Sequence, residues 1–445
     1  MHILLFIIYS LACIYGILKI PFIRNSGIQP LYLLLFFALH VLTGLLHNAI
    51  AYRYYPEHGD IWNFYQWSLL ARHRLVYDHT LYLYNNDTWT HITHNGIVWV
   101  YMVLDTISFD SMTVNTLLFS FPVFLGNIAL FRLFRRRFPN ATLAALSVFF
   151  LPSALFWTAC IHREALLYML LGFLLYSFDR LLAHPARKHF IIFLISLFII
   201  LYFRFSLLVS LLPALAAWLP AERRWPPRRL LMFSGAALLL LFISIFIFPN
   251  FYTSVARAIT ARQQEFVSLE GHSRLPLLVM NGTWTSIIKT IPYAIRNGFF
   301  EPLPGSGGQI IYLAFSFELL AIWIIIIAAA LLWRPSPPQT ALPQPTTPQP
   351  APLQTAMPQP ALPRPGSTNS FTLFCIIFSL SGLLIIGATV PFVGAIVRYR
   401  SIFLPFLVAP ALCRLHSNPL IRRLDDWLSL HLLRIPKPGE SPHSY

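Results

Sequence analysis

About eleven long apolar stretches dominate this sequence, and they restrict the fold more than any other feature. Each stretch has about 15 to 25 residues, the length that an α-helix needs to cross the hydrocarbon core of a bilayer. Of the 445 residues, 57% are hydrophobic and only 11% are charged, whereas soluble domains carry about 25% charged residues. The sequence therefore predicts an all-α, polytopic transmembrane helix bundle. The predicted spans are 2–22, 30–51, 111–134, 141–160, 164–182, 189–203, 205–220, 229–248, 309–333, 370–391 and 401–414.

Basic side chains lie in short clusters between these stretches, a pattern typical of the cytoplasmic loops of membrane proteins rather than of nucleic-acid binding. The predicted spans place an even number of crossings between successive clusters, so all of them fit on one side. We expect a bacterial inner-membrane protein with its N-terminus outside and its C-terminus in the cytoplasm. The clustered residues are Arg132, Arg135, Arg136, Arg137, Arg180, Arg187, Lys188, Arg223, Arg224, Arg228, Arg229, Arg414, Arg422, Arg423, Arg434 and Lys437.

Composition divides the chain into four regions. Residues 1–334 are predicted to form the main bundle, with outer loops at 52–110 and 249–308. Residues 335–369 are rich in proline and favour extended polyproline conformations, which predicts a disordered cytoplasmic linker. Residues 370–414 supply the last membrane helices, and residues 415–445 a basic cytoplasmic tail.

The first outer loop carries the most informative polar residues. Glu57, His58 and Asp60 lie within Tyr-Tyr-Pro-Glu-His-Gly-Asp, directly after the second span. Apolar and aromatic residues then recur at helical spacing, which predicts an amphipathic helix along the membrane interface. Asp60 has two interpretations: it is a candidate catalytic base, with Glu57 and His58 in support, or the N-cap of that helix.

Two further segments on the same predicted face carry charge at membrane depth, where charged side chains are paired or functional. One is His162-Arg163-Glu164, in a turn between two spans. The other is Arg204, which interrupts an apolar stretch where the chain turns back. These four residues are candidates for substrate binding. An ordinary ion pair at Arg163 and Glu164, and a snorkelling anchor at Arg204, are the structural alternatives.

A late segment, Val-Arg398-Tyr399-Arg400, adds two arginines around a tyrosine on the face where positive charge is normally scarce. Guanidinium groups bind phosphate oxygens through paired hydrogen bonds, so these three residues are candidates for binding a phosphate or diphosphate. Glu318 stands alone inside the predicted ninth span. Both a structural partner and a proton or ion site are open for it.

Together these features resemble the GT-C superfamily of integral membrane glycosyltransferases, in particular its protein-mannosyltransferase-like branch. Those enzymes place an essential acidic residue in the first large outer loop, and Glu57 and Asp60 match that position. The segment Leu-Pro-Ser-Ala-Leu-Phe-Trp that leads to His162, and the late Val-Arg-Tyr-Arg segment, are similar to a bacterial branch of uncharacterised members. The resemblance implies a GT-C-like bundle with interfacial helices in its outer loops.

The resemblance also implies the chemistry. The donor would be a sugar on a polyprenyl phosphate, and the acceptor a glycan, a lipid or a protein. Asp60 would be the general base, Arg398, Arg400 and Arg204 would stabilise the leaving phosphate, and His162 and Glu164 would orient a substrate. Whether His162 and Glu164 hold a divalent metal together with Asp60 is left open, and the resemblance implies no other cofactor.

Two other classes remain open from the sequence. A polysaccharide polymerase or ligase also handles polyprenyl-diphosphate glycans on the outer face, but depends on arginine and histidine instead of a carboxylate base. A lipid-glycan flippase or transporter predicts charges buried at mid-membrane and an internal repeat. No such repeat is visible in the sequence.

Overall fold

The computed structural model describes residues 1–54, 59–79, 89–138, 141–222, 249–269, 273–306, 310–332 and 367–433. Within these ranges the chain is helical and forms no β-strand. Short π-helical turns follow α4, at Arg74–Asp78, and α13, at Arg296–Phe300. The helices are α1 (His2–Lys19), α2 (Pro21–Arg24), α3 (Pro30–Tyr54), α4 (Gly59–His73), α5 (Trp89–Ser108), α6 (Met112–Arg137), α7 (Thr142–Phe150), α8 (Pro152–Thr158), α9 (Arg163–Ala183), α10 (Arg187–Phe203), α11 (Phe205–Glu222), α12 (Pro249–Val267), α13 (Trp284–Ile295), α14 (Ile310–Leu331), α15 (Ser367–Thr389), α16 (Val393–Arg400), α17 (Leu404–Leu415) and α18 (Pro419–Leu432).

Six of these helices (α1, α3, α6, α9, α14 and α15) are long and apolar enough to cross a membrane, and α16 with α17 makes a seventh if that bent pair is one span. Many of the exposed large side chains on α1, α3 and α14 are aliphatic, as on a lipid-facing surface. The described residues therefore form an all-α, integral, multi-pass membrane protein.

The remaining predicted spans in the described ranges are shorter or bent helices. The stretch 141–160 is two helices, α7 and α8, because Leu151 precedes Pro152 and takes an extended conformation (φ −69°, ψ 116°). The predicted spans 189–203 and 205–220 are present as the separate helices α10 and α11, because Arg204 between them is extended (φ −157°, ψ 90°). Helices α16 and α17 meet at a bend of 58°. The predicted span 229–248 and most of the proline-rich segment lie outside the described residues.

Several arginines of the predicted basic clusters lie at one end of the bundle. Arg132 and Arg135, near the end of α6, donate to main-chain oxygens in the segment between α1 and α3. Arg137 forms a buried ion pair with Asp179 near the end of α9 (Nε–Oδ1 2.6 Å). Asp425 of α18 accepts hydrogen bonds from the first two N–H groups of α7. The predicted grouping of these arginines is thus seen in the fold, while the side of the membrane that they face stays a prediction.

The opposite end carries α4, α5 and the turn between α8 and α9. Trp62 of α4 donates to the main-chain oxygen of Asn48 near the end of α3 (3.1 Å). Tyr101 of α5 donates to the oxygen of Ile161 in the α8–α9 turn (3.1 Å). The candidate site lies at this end, which we call the site end.

A close approach of backbones fixes α9 against α6. A Cβ at Gly172 of α9 would lie 2.3 Å from the main-chain oxygen of Gly126 in α6, and a Cβ at Gly126 would lie 2.5 Å from Cα of Met169. Membrane helices associate through small residues in this way because lipid offers no hydrophobic driving force between helices. The contact sets the position of α9, whose first turn carries Arg163 and Glu164.

Candidate functional site

Four segments that are far apart in sequence converge at the site end. They are the first turn of α4, the turn that leads into α9, the junction of α10 with α11, and the last turn of α16. Charged side chains from these segments contact one another directly, and we call this set the charged cluster. Its members are Asp60, His162, Glu164, Arg204, Arg398 and Tyr399.

Arg398 lies at the centre of the charged cluster. Its Nη1 donates to Oδ2 of Asp60 at 2.8 Å and lies 3.2 Å from Nε2 of His162. Its Nη2 donates to the hydroxyl of Tyr399 at 3.1 Å. Nε2 of His162 is in turn 3.6 Å from Oδ2 of Asp60. The segments around residues 60, 162 and 398 therefore meet at a single guanidinium group.

Glu164 is the most deeply buried charged residue of the cluster. Its Oε2 contacts Nδ1 of His162, and its Oε1 accepts a hydrogen bond of 2.7 Å from Nη2 of Arg204. Glu164 lies in the first turn of α9, where the helix dipole favours a negative charge. With Nδ1 of His162 donating to the carboxylate, Nε2 is left as the acceptor that faces Arg398.

Aromatic rings surround the guanidinium groups. The ring of Tyr399 has Arg204 4.0 Å and Arg398 5.0 Å from its centroid, within the range of a cation–π interaction. Arg398 also lies 6.0 Å from the ring of Trp157, and the ring of Phe64 lies 6.2 Å from that of His162. Aromatic rings beside these groups take the place of water, and electrostatic interactions between charges are stronger where water is absent.

Asp60 is the accessible member of the cluster. Its side chain is 50% exposed, against 0% for Glu164, 1% for His162, 14% for Arg204 and 15% for Arg398. Partial burial would by itself raise the pKa of Asp60, but the neighbouring imidazole of His162 and the positive charge of Arg398 outweigh it and hold that pKa well below its usual range. Asp60 is therefore an ionised carboxylate at the entrance of the cluster.

The residues that the sequence singled out have different positions in the structure. Asp60 is inside the first turn of α4, and its carboxylate is directed at Arg398 and not used as the N-cap of that helix. Arg163 is buried beside the cluster. Arg400, predicted to share a phosphate with Arg398, is buried elsewhere and donates to the main-chain oxygen of Glu301 (2.5 Å). Glu57 and His58 lie outside the described residues.

The sequence also left open whether Asp60, His162 and Glu164 hold a divalent metal. No group of three or more His, Cys, Asp or Glu side chains in the described ranges is arranged to hold a metal ion. Asp60, His162 and Glu164 are near neighbours, but the guanidinium of Arg398 lies among them, with Nη1 at 2.8 Å from Asp60 and Nε at 3.9 Å from Glu164. A cation already occupies the position where their oxygen and nitrogen atoms converge.

The sequence did not reveal which segments hold Arg398 in place. The stretch after α12 runs antiparallel to the α15–α16 connection: Leu275 N–H donates to the oxygen of Pro391 (2.6 Å), and Val393 N–H donates to the oxygen of Ser273 (3.1 Å). Gln263 of α12 also donates to the oxygen of Ala388, at the end of α15 (2.9 Å). The long loop thus supports the chain just before α16. A bridge of two such short stretches has no periodic signal in the sequence.

Comparison of the chain with protein-family models, with curated protein sequences and with solved structures gave no match. The charged cluster itself is therefore the basis for assigning a function.

Proposed function

We propose that this protein is a membrane glycosyltransferase that moves a sugar from a polyprenyl-phosphate donor to a glycan, lipid or protein acceptor on the extracytoplasmic face. The observation that carries the proposal is the charged cluster: a half-exposed carboxylate on Asp60, paired with Arg398 and backed by a buried histidine and glutamate. Nucleotide sugars are cytoplasmic, so a donor used at an outward site must be carried by a lipid.

The reaction is a one-step displacement at the anomeric carbon. The acceptor hydroxyl attacks this carbon, and the bond between carbon and phosphate oxygen breaks with its electron pair on the phosphate. The hydroxyl proton passes to Asp60, the accessible carboxylate. The products are the glycosylated acceptor and polyprenyl phosphate, with inversion at the anomeric carbon.

The remaining cluster residues act on the leaving group. Arg398 and Arg204 place two guanidinium groups where negative charge develops on the phosphate, and preorganised charges of this kind are a large term in catalysis. Glu164 holds Arg204 and orients His162 through Nδ1. The aromatic walls provided by Trp157 and Tyr399 limit water at the reacting bond.

A second candidate is a polymerase or ligase that acts on polyprenyl-diphosphate glycans. One observation favours it: the pair of Glu164 and His162 has the arrangement of an oriented general base, in which a buried carboxylate fixes the imidazole and leaves Nε2 as the proton acceptor. In that reaction His162 replaces Asp60 as the base, and the leaving group is a diphosphate.

The leaving lipid distinguishes the two candidates. The full-length protein in proteoliposomes would be given a panel of polyprenyl-phosphate monosaccharides and, separately, polyprenyl-diphosphate oligosaccharides, and the lipid products would be separated by chromatography. Release of polyprenyl monophosphate supports the glycosyltransferase. Release of polyprenyl diphosphate alone supports the polymerase or ligase, and turnover of neither series contradicts both.

A further inference from the structure

The accessible position beside Arg398 is already filled by an anion of the protein itself. The carboxylate of Asp60 accepts from Nη1 of Arg398 at 2.8 Å, and its side chain is the most exposed in the charged cluster. A ligand that approaches Arg398 from the exposed side of the cluster therefore meets Asp60 first. Two anions cannot share one face of a guanidinium group without strong repulsion.

Arg398 nevertheless has capacity for a further acceptor. Its Nη1 and Nη2 serve Asp60, His162 and Tyr399. Its Nε–H is buried, on the side of Glu164, and donates to no acceptor in the part of the chain that the structure describes; Oε1 of Glu164 is 3.9 Å away. A guanidinium that presents Nε and Nη to one side suits the paired oxygens of a phosphate.

The charges of the region also leave room for a more negative occupant. Three arginines lie here, at positions 163, 204 and 398, against the two carboxylates of Asp60 and Glu164. One positive charge is therefore in excess while Asp60 is paired. A dianionic phosphate brings two negative charges to Arg398 where Asp60 brings one, so it competes for the guanidinium with the stronger electrostatic attraction.

We propose that Asp60 is a built-in occupant of a phosphate site on Arg398 and Arg204, and that a dianionic phosphate displaces it. The inference rests on the proposed function for the source of that phosphate, the head group of a polyprenyl carrier. The displacing ligand is thus either a phosphate monoester or free phosphate, which have the same dianionic group. No bond is made or broken in the exchange, since one ion pair replaces another.

The exchange links ligand binding to the availability of the base. While it is paired with Arg398, Asp60 binds protons too weakly to serve as an effective general base. Once a phosphate has taken the guanidinium, the carboxylate loses the positive charge that lowers its pKa, and it gains a phosphate as a negative neighbour. Both changes raise its affinity for a proton. Asp60 therefore becomes a more effective base as negative charge grows on the phosphate, since the donor phosphodiester carries one negative charge and the released polyprenyl phosphate carries two.

The test is a binding measurement that needs no turnover. Dissociation constants for inorganic phosphate and for farnesyl phosphate would be measured by isothermal titration calorimetry on the full-length protein in detergent. Asp60→Asn removes the competing charge, so it should bind both ligands more tightly than the wild type, on the order of tenfold. Arg398→Gln should lose binding of both. Tighter binding of farnesyl phosphate than of inorganic phosphate supports the lipid source, and the reverse preference contradicts it.

Asp110→Asn is the matched control, because Asp110 is a half-exposed carboxylate at the site end that pairs with Arg72, outside the cluster. It should bind phosphate as the wild type does. Unchanged or weaker binding by Asp60→Asn, with a normal melting curve, would overturn the inference. Asp60→Ser serves as a second variant if the first does not fold. If the wild type turns over no glycolipid while Asp60→Asn binds phosphate more tightly, the proposed function fails and the inference stands.

Discussion

Two carboxylates at the site end show how strongly local surroundings decide the behaviour of the same chemical group. Asp60 pairs with Arg398, and its pKa is lowered. Asp105 of α5 is fully buried, and burial raises its pKa although Ser68 and Asn115 donate hydrogen bonds to it. Asp60 therefore stabilises the fold above the pKa of an unfolded aspartate and loses that effect in acid. Asp105 has the opposite effect, since its ionisation is costly in the folded state.

We predict that Asp105→Asn raises the melting temperature at neutral pH. The amide retains both contacts, because its NH₂ can donate to the Ser68 hydroxyl, which also donates to the main-chain oxygen of Tyr65, and its oxygen can accept from Asn115. The folded pKa of Asp105 lies above the unfolded value of about 3.9, so the advantage of the variant should be absent below that pH and grow as pH rises towards the folded pKa. Melting curves in detergent at a series of pH values measure it. An advantage that is the same at every pH would contradict the argument.

Glu164→Gln should destabilise the protein by about 3 to 5 kcal/mol, because it leaves Arg204 and His162 buried without their common anion. Glu265→Gln is the matched control: Glu265 pairs with Arg262 at an exposed position, where an ion pair contributes at most about 1 kcal/mol. Chemical denaturation of both variants in detergent checks the difference. Equal stability of the two would show that the Glu164 pairs are not important for the fold.

At the scale of the element, the helical spacing of apolar residues in the sequence predicted a helix correctly. The helix after Asp60 is present as α4, and its buried residues Ile61, Phe64, Ser68 and Ala71 recur at helical spacing. The effect of a proline on a neighbouring residue is equally local, yet the break at Pro152 was hidden because apolar residues continue on both sides of it. Glu318 illustrates an interaction that is not local: it accepts from the N–H and hydroxyl of Ser153 and so caps α8, a partner 165 residues away.

The contact of α6 with α9 gives a prediction at the same scale. Gly172→Ala places a methyl group against the main-chain oxygen of Gly126, which cannot move aside, so α9 must shift. We expect a loss of about 1 to 3 kcal/mol in stability and lower transfer activity, since Glu164 moves with α9. Gly16→Ala is the control, because its methyl would meet side chains alone, the ring of Phe121 and the end of Ile20, and no main-chain atom. Melting curves and donor turnover are the measurements, and wild-type values for Gly172→Ala would contradict this packing.

At the scale of the molecule, counting the predicted membrane crossings as even or odd (their parity) already predicted that residues 60, 162, 204 and 398 lie on one face of the membrane. The sequence could not supply their contacts, because Asp60 and Arg398 are 338 residues apart and nothing local pairs them. The same limit explains Arg400: two residues from Arg398 on a helix, it points to a different neighbour. Parity is a property of the whole chain, whereas contact depends on how each helix is rotated and bent.

The predicted orientation is tested by labelling. Tyr77 lies at the site end and Arg422 at the basic end, and both side chains are exposed. A cysteine at position 77 should react with a membrane-impermeant maleimide added to intact spheroplasts, and a cysteine at position 422 only after lysis. The wild type is the control, since three of its four cysteines are buried. The reverse pattern would place the charged cluster in the cytoplasm and remove the argument for a lipid-borne donor.

The most direct test of the account is the rate at which proteoliposomes release polyprenyl phosphate from the donor that the wild type uses. Asp60→Asn should lower this rate by about 10² to 10⁴, the usual contribution of a general base, while Asp110→Asn should keep the wild-type rate. Both variants should melt as the wild type does. Full activity of Asp60→Asn would contradict the central claim that the charged cluster performs the transfer with Asp60 as its base.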